Sequence, residues 1–489
     1  MTGQLIIGDV FRGAARAAPR RIAAALGADS LTFAELDAAA NRIARALGRR
    51  GVGTGVRVAS WSATTLDSVP LFAALAKLGA VFVPLNGQWH GREAGTVLTH
   101  VRPALLVVDR ERTEDGASVG RDVGVDVVTF EEVTRLAAAE PAHDLDGAVS
   151  EGDAHVVFYT SGSSGSPKGA ILSHRANVLR SLPGALLEPR GAMVCPYPLF
   201  HMGAWTIALQ QWQARDAVVF VRSADAREIG EAVQRYRATR LNCVPGVWTR
   251  LLEAGSGAGG GTYDLSSIRF ADTGTSATAP ELLRAIAAAL PAAQVRVFYG
   301  STEAGGVTVL EHADIERKPG SCGVPGPLTT VRIDDQDRLW VQGPLLFDGY
   351  LDDPEATAEA LVDGWYDTGD LAASDDEGYL SIVGRAGEVI RTGGETVSPP
   401  EVEAVLRALP ALADVAVVGL PDPQWGEVVC AVVVLGPGAT VPDLADLRAV
   451  CAGKLATYKY PRRLAVVDRI PRTAATGQVQ RRLLVEMIA

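Results

Sequence analysis

Residues 159–169 read Tyr159-Thr160-Ser161-Gly162-Ser163-Ser164-Gly165-Ser166-Pro167-Lys168-Gly169. An apolar run, Val156-Val157-Phe158, leads in, and Ala170-Ile171-Leu172 leads out to Ser173, a good helix N-cap. Glycines let the backbone bend so that several N–H groups converge on one anion, and the hydroxyls and Lys168 supply further donors. A solvated Gly/Ser surface turn is the plainer alternative, but such a turn has no need of a lysine and a row of hydroxyls between two apolar runs. The pattern is that of a polyphosphate clasp. It is not the common P-loop, in which Lys directly precedes Ser or Thr and the loop opens a helix. Lys168 is followed by Gly169 and an apolar run, so the clasp is expected to join two strands.

The chain around it has 489 residues, which implies at least two domains. Its 47% hydrophobic and 21% charged residues are ordinary for a soluble enzyme. A net charge of −11 argues against a nucleic-acid partner or an anionic membrane surface, so a polyanionic ligand must meet a local basic patch. Cys195, Cys243, Cys322, Cys430 and Cys451 are scattered with no close pair, which suits buried free thiols in a reducing compartment. No signal-peptide pattern opens the chain, and the most apolar stretch, 71–85, is too short to span a bilayer. These features point to the cytoplasm.

Helical and strand signals alternate through the first two thirds. Thr32 and Glu35 form a capping box, a helix over 71–78 leads to a strand over 81–85, and 105–108 and 125–130 repeat the strand signal. This alternation predicts an α/β fold with buried, largely parallel sheets. Gly255 to Gly260 satisfies G-x-G-x-x-G, but it follows a helical pattern rather than a strand, so we read it as a surface loop. His201 sits in an apolar stretch with Gly203 and Trp205; a core histidine and a cavity wall compete there. Phe270–Gly274 and Val295–Tyr299 read as strands whose C-terminal ends carry Gly274, Tyr299, Gly300, Thr302 and Glu303, where open α/β sheets bind ligands. Trp365–Leu371 reads as a tight turn holding Asp367 and Asp370, and a domain boundary is expected at the polar break near 385–388. From Lys454 to Arg482 eight Lys or Arg face one acid, Asp468, which makes this tail the expected meeting place for a polyanion.

Taken together and in order, the clasp, Tyr299–Glu303, Tyr366–Asp370, Gly384-Arg385 and Gly393-Gly394 resemble the adenylate-forming superfamily of acyl-CoA synthetases, adenylation domains and luciferases. The resemblance runs from Leu31 to Leu483 and is strongest to the acyl-CoA synthetases. It implies a large N-terminal domain (1–385) of stacked α/β sheets with a small β-barrel-like part. A small mobile α+β C-terminal domain (386–489) would hinge near 385–388. It also implies two steps: a carboxylic acid attacks the α-phosphate of ATP, giving an acyl-adenylate and pyrophosphate, and CoA then displaces AMP. By resemblance, Thr160, Ser161, Gly162, Ser163, Ser164 and Lys168 hold the β- and γ-phosphates. Tyr299 stacks on adenine near Gly274 and Gly300, Thr302 contacts phosphate, and Glu303 holds Mg²⁺. Asp370 and Arg385 grip the ribose. His201, Trp205, Gly274 and Gly305 line the acyl pocket, and Gly393 and Gly394 the pantetheine tunnel.

The chemistry suits those residue types, because attack on phosphorus needs positioning and charge neutralisation rather than a protein nucleophile. Two departures stand out. Family members carry a lysine in the C-terminal loop that bridges the acyl carboxylate and the α-phosphate. Here Pro471-Arg472-Thr473-Ala474-Ala475-Thr476-Gly477 is followed by Gln478, one residue late and uncharged. An engineered trap, a natural loss, or a register shift that lets Arg481 or Arg482 supply the charge all fit. The intactness of every other motif favours the first. The second departure is Gly387, where the family often has a charged hinge residue. The expected partners are a small carboxylic acid, apolar or aromatic if Trp205 and Trp248 wall the pocket, and CoA or a free-standing carrier protein. A disabled adenylate- or thioester-binding protein is the alternative.

Overall fold

The computed structural model describes residues 4–145, 147–160, 167–256, 263–473 and 477–488. Three sheets form a large N-terminal domain and a fourth forms a C-terminal domain. The clasp hangs from the hairpin of strands Ala154–Thr160 and Lys168–Ser173, which pair antiparallel up to Thr160↔Lys168. Its tip, including Ser161, Gly162, Ser163 and Ser164, lies outside the described residues. This hairpin, with Gly349–Tyr350 paired outside it, belongs to a seven-stranded sheet whose strands Arg57–Trp61, Val81–Leu85, Leu105–Val108 and Val127–Thr129 run parallel. They are near-continuous Val, Leu and Ala because helices cover both faces.

A nine-stranded sheet carries parallel strands Met193–Cys195, Arg240–Cys243, Phe270–Gly274 and Gln294–Ser301 in neighbouring positions. Its last parallel strand turns back through a hairpin into Gly305–Leu310. Helices Phe33–Gly48 and Ser68–Leu78 pack between the two sheets, the first capped as expected by Thr32 and Glu35. The largest core cluster, which includes Phe11, Phe72, Phe82, Trp205 and Trp212, fills this space. Burying such side chains contributes about 2–3 kcal/mol each, so the cluster fixes how the two sheets stack.

The third sheet is five-stranded and antiparallel, built on Trp365–Ser374. That segment was expected to be a tight turn; it is a ten-residue strand bent at Gly369, whose φ of 70° is left-handed. Cross-strand pairing with Arg338–Gln342 outweighs the local turn preference of Asp-Thr-Gly-Asp. The fourth sheet pairs Leu412–Asp422 with Gly426–Leu435 over ten positions and packs on helices Pro399–Leu406 and Leu444–Cys451. The basic tail is not an open patch. Lys459 pairs with Glu401, Arg463 with Asp422, Arg472 with Asp414 and Arg482 with Glu486, while Arg462 lies 3.8 Å over the ring of Trp425. With Arg481 on Glu388 and Glu403, acids that a charge count treats as distant pair with five of its eight cations. All five cysteines are free and buried, and no helix of the described residues is long and apolar enough to cross a membrane.

Candidate active site

One continuous cleft of about 2230 Å³ runs from the foot of the clasp to the C-terminal loop. Its floor is the turn after Tyr299. Gly300 is required there: a Cβ would stand 2.1 Å from the carbonyl oxygen of Gly305, so only glycine lets the hairpin close. Gly274 is held the same way, 2.3 Å from the Phe298 carbonyl oxygen. The Tyr299 hydroxyl donates to Asp370 Oδ2 at 2.6 Å, and Arg385 Nε meets the other carboxylate oxygen at 2.8 Å. Burial pushes the Asp370 carboxyl up, and the Arg385 charge opposes that shift. The Glu303 carboxylate receives hydrogen bonds from the hydroxyls of Thr160 (3.4 Å) and Tyr350 (3.2 Å), which brings the clasp and the Tyr299 turn together. Lys168 Nζ lies 5.2 Å from the centre of the Tyr350 ring.

Arg180 organises this corner. It is buried, and its guanidinium donates to the carbonyl oxygens of Thr302 and Glu303 at 2.8 Å and of Leu345 at 2.7 Å. Desolvation lowers its pKa to about 10, and Glu303 resists that shift. His201 caps the helix Met202–Ala214, accepting a hydrogen bond at Nδ1 from the Gly203 N–H at 3.1 Å, and stacks on Tyr197. Burial lowers its pKa to about 4, so the ring is neutral. At the far lip Gln478 reaches across from the C-terminal domain, its Nε2 donating to the carbonyl oxygen of Thr275 at 2.8 Å.

The chain matches a known family. The AMP-binding enzyme model matches residues 11–351, and the model of the AMP-binding enzyme C-terminal domain matches 401–476. The chain belongs to the AMP-binding enzyme family. It is 34% identical to a feruloyl-CoA synthase of Amycolatopsis sp, with 96% of this chain and 97% of the relative covered. It is 33% identical to an indoleacetate–CoA ligase of Aromatoleum aromaticum, covering 94% and 93%. The fold agrees with that of ATP-bound MatB from Rhodopseudomonas palustris at a TM-score of 0.87 and 29% identity, over 98% of each chain. The protein is therefore an AMP-forming acyl-CoA synthetase that activates a carboxylic acid with ATP and ligates it to CoA.

Within this AMP-binding enzyme, Thr160, Lys168, His201, Gly274, Tyr299, Gly300, Thr302, Glu303, Gly305, Arg385 and Gln478 all line the cleft, and Asp370 is bonded to Tyr299 beneath it. Trp205 does not line it. The helix Met202–Ala214 turns Met202, Gly203, Thr206, Ile207 and Gln210 to the cavity. Trp205, one hundred degrees round, stacks on Phe72 at 4.0 Å in the core. Trp248 is likewise core, its Nε1 donating to the Asp272 carbonyl oxygen. Two tryptophans thus give no reason to expect an aromatic acid. Gly393 and Gly394 form the turn of the hairpin Ile390–Val397 and are not on the cleft wall; Gly393 packs under Trp425.

Arg481 and Arg482 also line the cleft, where Arg481 pairs with Glu388 (2.7 Å) and Glu403 (2.6 Å) and Arg482 makes an exposed i,i+4 pair with Glu486 (3.3 Å). Sequence reading missed Arg180, Tyr350 and Tyr197. Arg180 lies seven residues beyond the Ser173 cap, on the buried face of the helix His174–Ala185. A cation on an otherwise covered helix face was the available signal.

Proposed function

We propose that this cleft forms the acyl-adenylate slowly and the thioester readily. The observation that carries the reading is Gln478: it occupies the lip beside Gly274 and Thr275 with an uncharged amide where a cation is needed. The main chain of the clasp and the groups of Thr160, Ser161, Ser163, Ser164 and Lys168 bind the β- and γ-phosphates. Tyr299 stacks on adenine beside Gly274, Thr302 donates to phosphate, and the Asp370–Arg385 pair takes the ribose hydroxyls. The Glu303 carboxylate, with two hydroxyls turned to it, fits a Mg²⁺ site completed by phosphate oxygens and water. When bound, that ion supplies positive charge to the phosphates. Arg180 holds the Thr302–Glu303 main chain in place through its two carbonyl oxygens. The acid enters past His201, whose neutral ring sets no charge against the adenylate.

The C-terminal unit from about residue 386 then rotates about 385–388. A Cβ at Gly387 would meet nothing within 4 Å, and the rotation brings Gly393 and Gly394 to the pantetheine arm. CoA is the thiol acceptor in this reading, as in the names of the relatives, rather than a free-standing carrier protein. Gln478 alone favours the second reading, a protein that binds an adenylate or thioester without making it. Incubation with ATP, Mg²⁺, CoA and a panel of acids, with AMP and acyl-CoA followed by mass, separates the two. Slow AMP release with matching acyl-CoA supports the ligase; binding without either product leaves only the second reading standing.

A further inference from the structure

Beyond His201 the cleft continues as a tunnel between the helix Met202–Ala214 and the strand Arg240–Cys243. Two amides face it. Gln210 lies on the cavity side of the helix, about 12 Å beyond Met202, and has no hydrogen-bond partner among the described residues. Its side chain packs on Gly184, where a Cβ would be 2.3 Å from Gln210 Cδ. Asn242 stands on the opposite wall. Its Oδ1 accepts from the Tyr197 hydroxyl at 2.8 Å, and the other end of its amide has no protein partner among the described residues. Arg240, two residues back on the same strand face and hence about 7 Å deeper, donates to the Gly184 carbonyl oxygen at 2.7 Å. Asn242 therefore stands partway along the tunnel, and Gln210 at its end.

We propose that these two amides select acids whose acyl group carries a neutral hydrogen-bonding oxygen, a hydroxyl or carbonyl, at its far end, with Gln210 the principal reader. The inference rests on the reading of the cleft as an adenylation site. An amide can donate and accept, so it suits an uncharged oxygen of either kind, whereas a plain methyl end would leave the Gln210 amide and the NH2 of Asn242 desolvated without a partner. A carboxylate end is the competing fit, because Arg240 meets only carbonyl and amide oxygens and its Nε has no partner, so the test includes an ω-carboxyl ligand. Arg296 makes a bidentate pair with Asp272 at 2.8 and 2.9 Å. Arg240 points its donors at the carbonyl oxygens of Gly184 and Leu187, and Arg180 at three others.

The test uses acyl-sulfamoyl adenosines, which mimic the adenylate and bind without turnover. A series of ω-hydroxyalkanoyl ligands of about six to ten carbons is compared with ω-methyl isosteres of equal length, by calorimetry on the full chain. At the best length the hydroxyl ligand should bind about tenfold tighter than its isostere, the yield of one well-made hydrogen bond. Gln210→Leu should reduce that ratio to below about twofold, Asn242→Leu should reduce it partly, and both variants should melt within a few degrees of the parent. Equal binding of the isosteres by the parent, a preference that survives in Gln210→Leu, or tightest binding of an ω-carboxyl ligand would each overturn the proposal. Binding of no member of the series by the parent would instead overturn the adenylation-site reading beneath it.

Discussion

Replacing Gln478 with lysine should accelerate adenylate formation, and the structure bounds by how much. The Gln478 amide sits 2.8 Å from the Thr275 carbonyl oxygen at the lip of the cleft, and the residue is exposed to solvent. An ammonium there, about 4 Å from a phosphoryl oxygen, is worth about 1 kcal/mol in bulk water and about 4 kcal/mol at the effective dielectric of a partly closed protein site. Those limits correspond to roughly fivefold and roughly 10³-fold in rate. Closure of the loop over ATP removes water, so we expect about 10²-fold, in line with the loss of a single charge-stabilising contact elsewhere. The assay is pyrophosphate release with saturating ATP and acid, parent and Gln478→Lys side by side. Its control is thioester formation from a synthetic acyl-adenylate and CoA, which the substitution should leave unchanged. A parent that already releases pyrophosphate as fast as the lysine variant would refute the electrostatic argument. So would a variant that speeds both half-reactions equally, because the added charge would then be acting on binding and not on attack at phosphorus.

Arg180→Met removes the donors to three buried carbonyl oxygens, costing about 3–5 kcal/mol of unfolding free energy, read as a lower denaturant midpoint, and raising the Mg²⁺ concentration needed for half-maximal activity, with Arg180→Lys recovering part of both. Gly300→Ala forces a methyl to 2.1 Å from the Gly305 oxygen, and should lower the melting temperature and abolish ATP-induced stabilisation in thermal shift. The buried pair His155 and His174, ring centres 4.6 Å apart, is held neutral by desolvation, His174 at about 4. The unfolded chain takes up protons near pH 6.5 that the folded chain refuses, so stability is complete above that pH and falls as pH drops towards 4. For His174 alone the loss approaches about 3 kcal/mol, and melting curves of His174→Asn should show a shallower acid limb than the parent.

Much of the fold was legible because its determinants are local. The Thr32–Glu35 capping box, the Ser173 cap, the apolar strands 81–85 and 105–108, and the hairpin that carries the clasp each follow from a few adjacent residues. The strand at 365–374 did not, because its Asp-Thr-Gly-Asp prefers a turn until Arg338–Gln342 supplies a partner. The same division runs through the site. Gly300, Tyr299 and Glu303 stand within five residues of each other and could be read as a unit. Arg180 reaches them across more than a hundred residues, and only the packing of its helix against the Tyr299 turn makes it part of the site.

By itself the sequence determined the groups on offer: a Gly/Ser loop with a lysine between two strands, an aromatic at a strand end with a carboxylate four residues on, and glutamine where the family it resembles carries lysine. Only the tertiary structure decided which side chains face the acid. Trp205 and Gln210 lie on one helix, and which face meets the core and which the tunnel is settled by what packs against them. Charge count likewise named the 454–482 segment basic, and only folding showed five of those eight charges paired. Pairing and facing are relations between distant segments, and a single chain read in order carries their ingredients without their outcome.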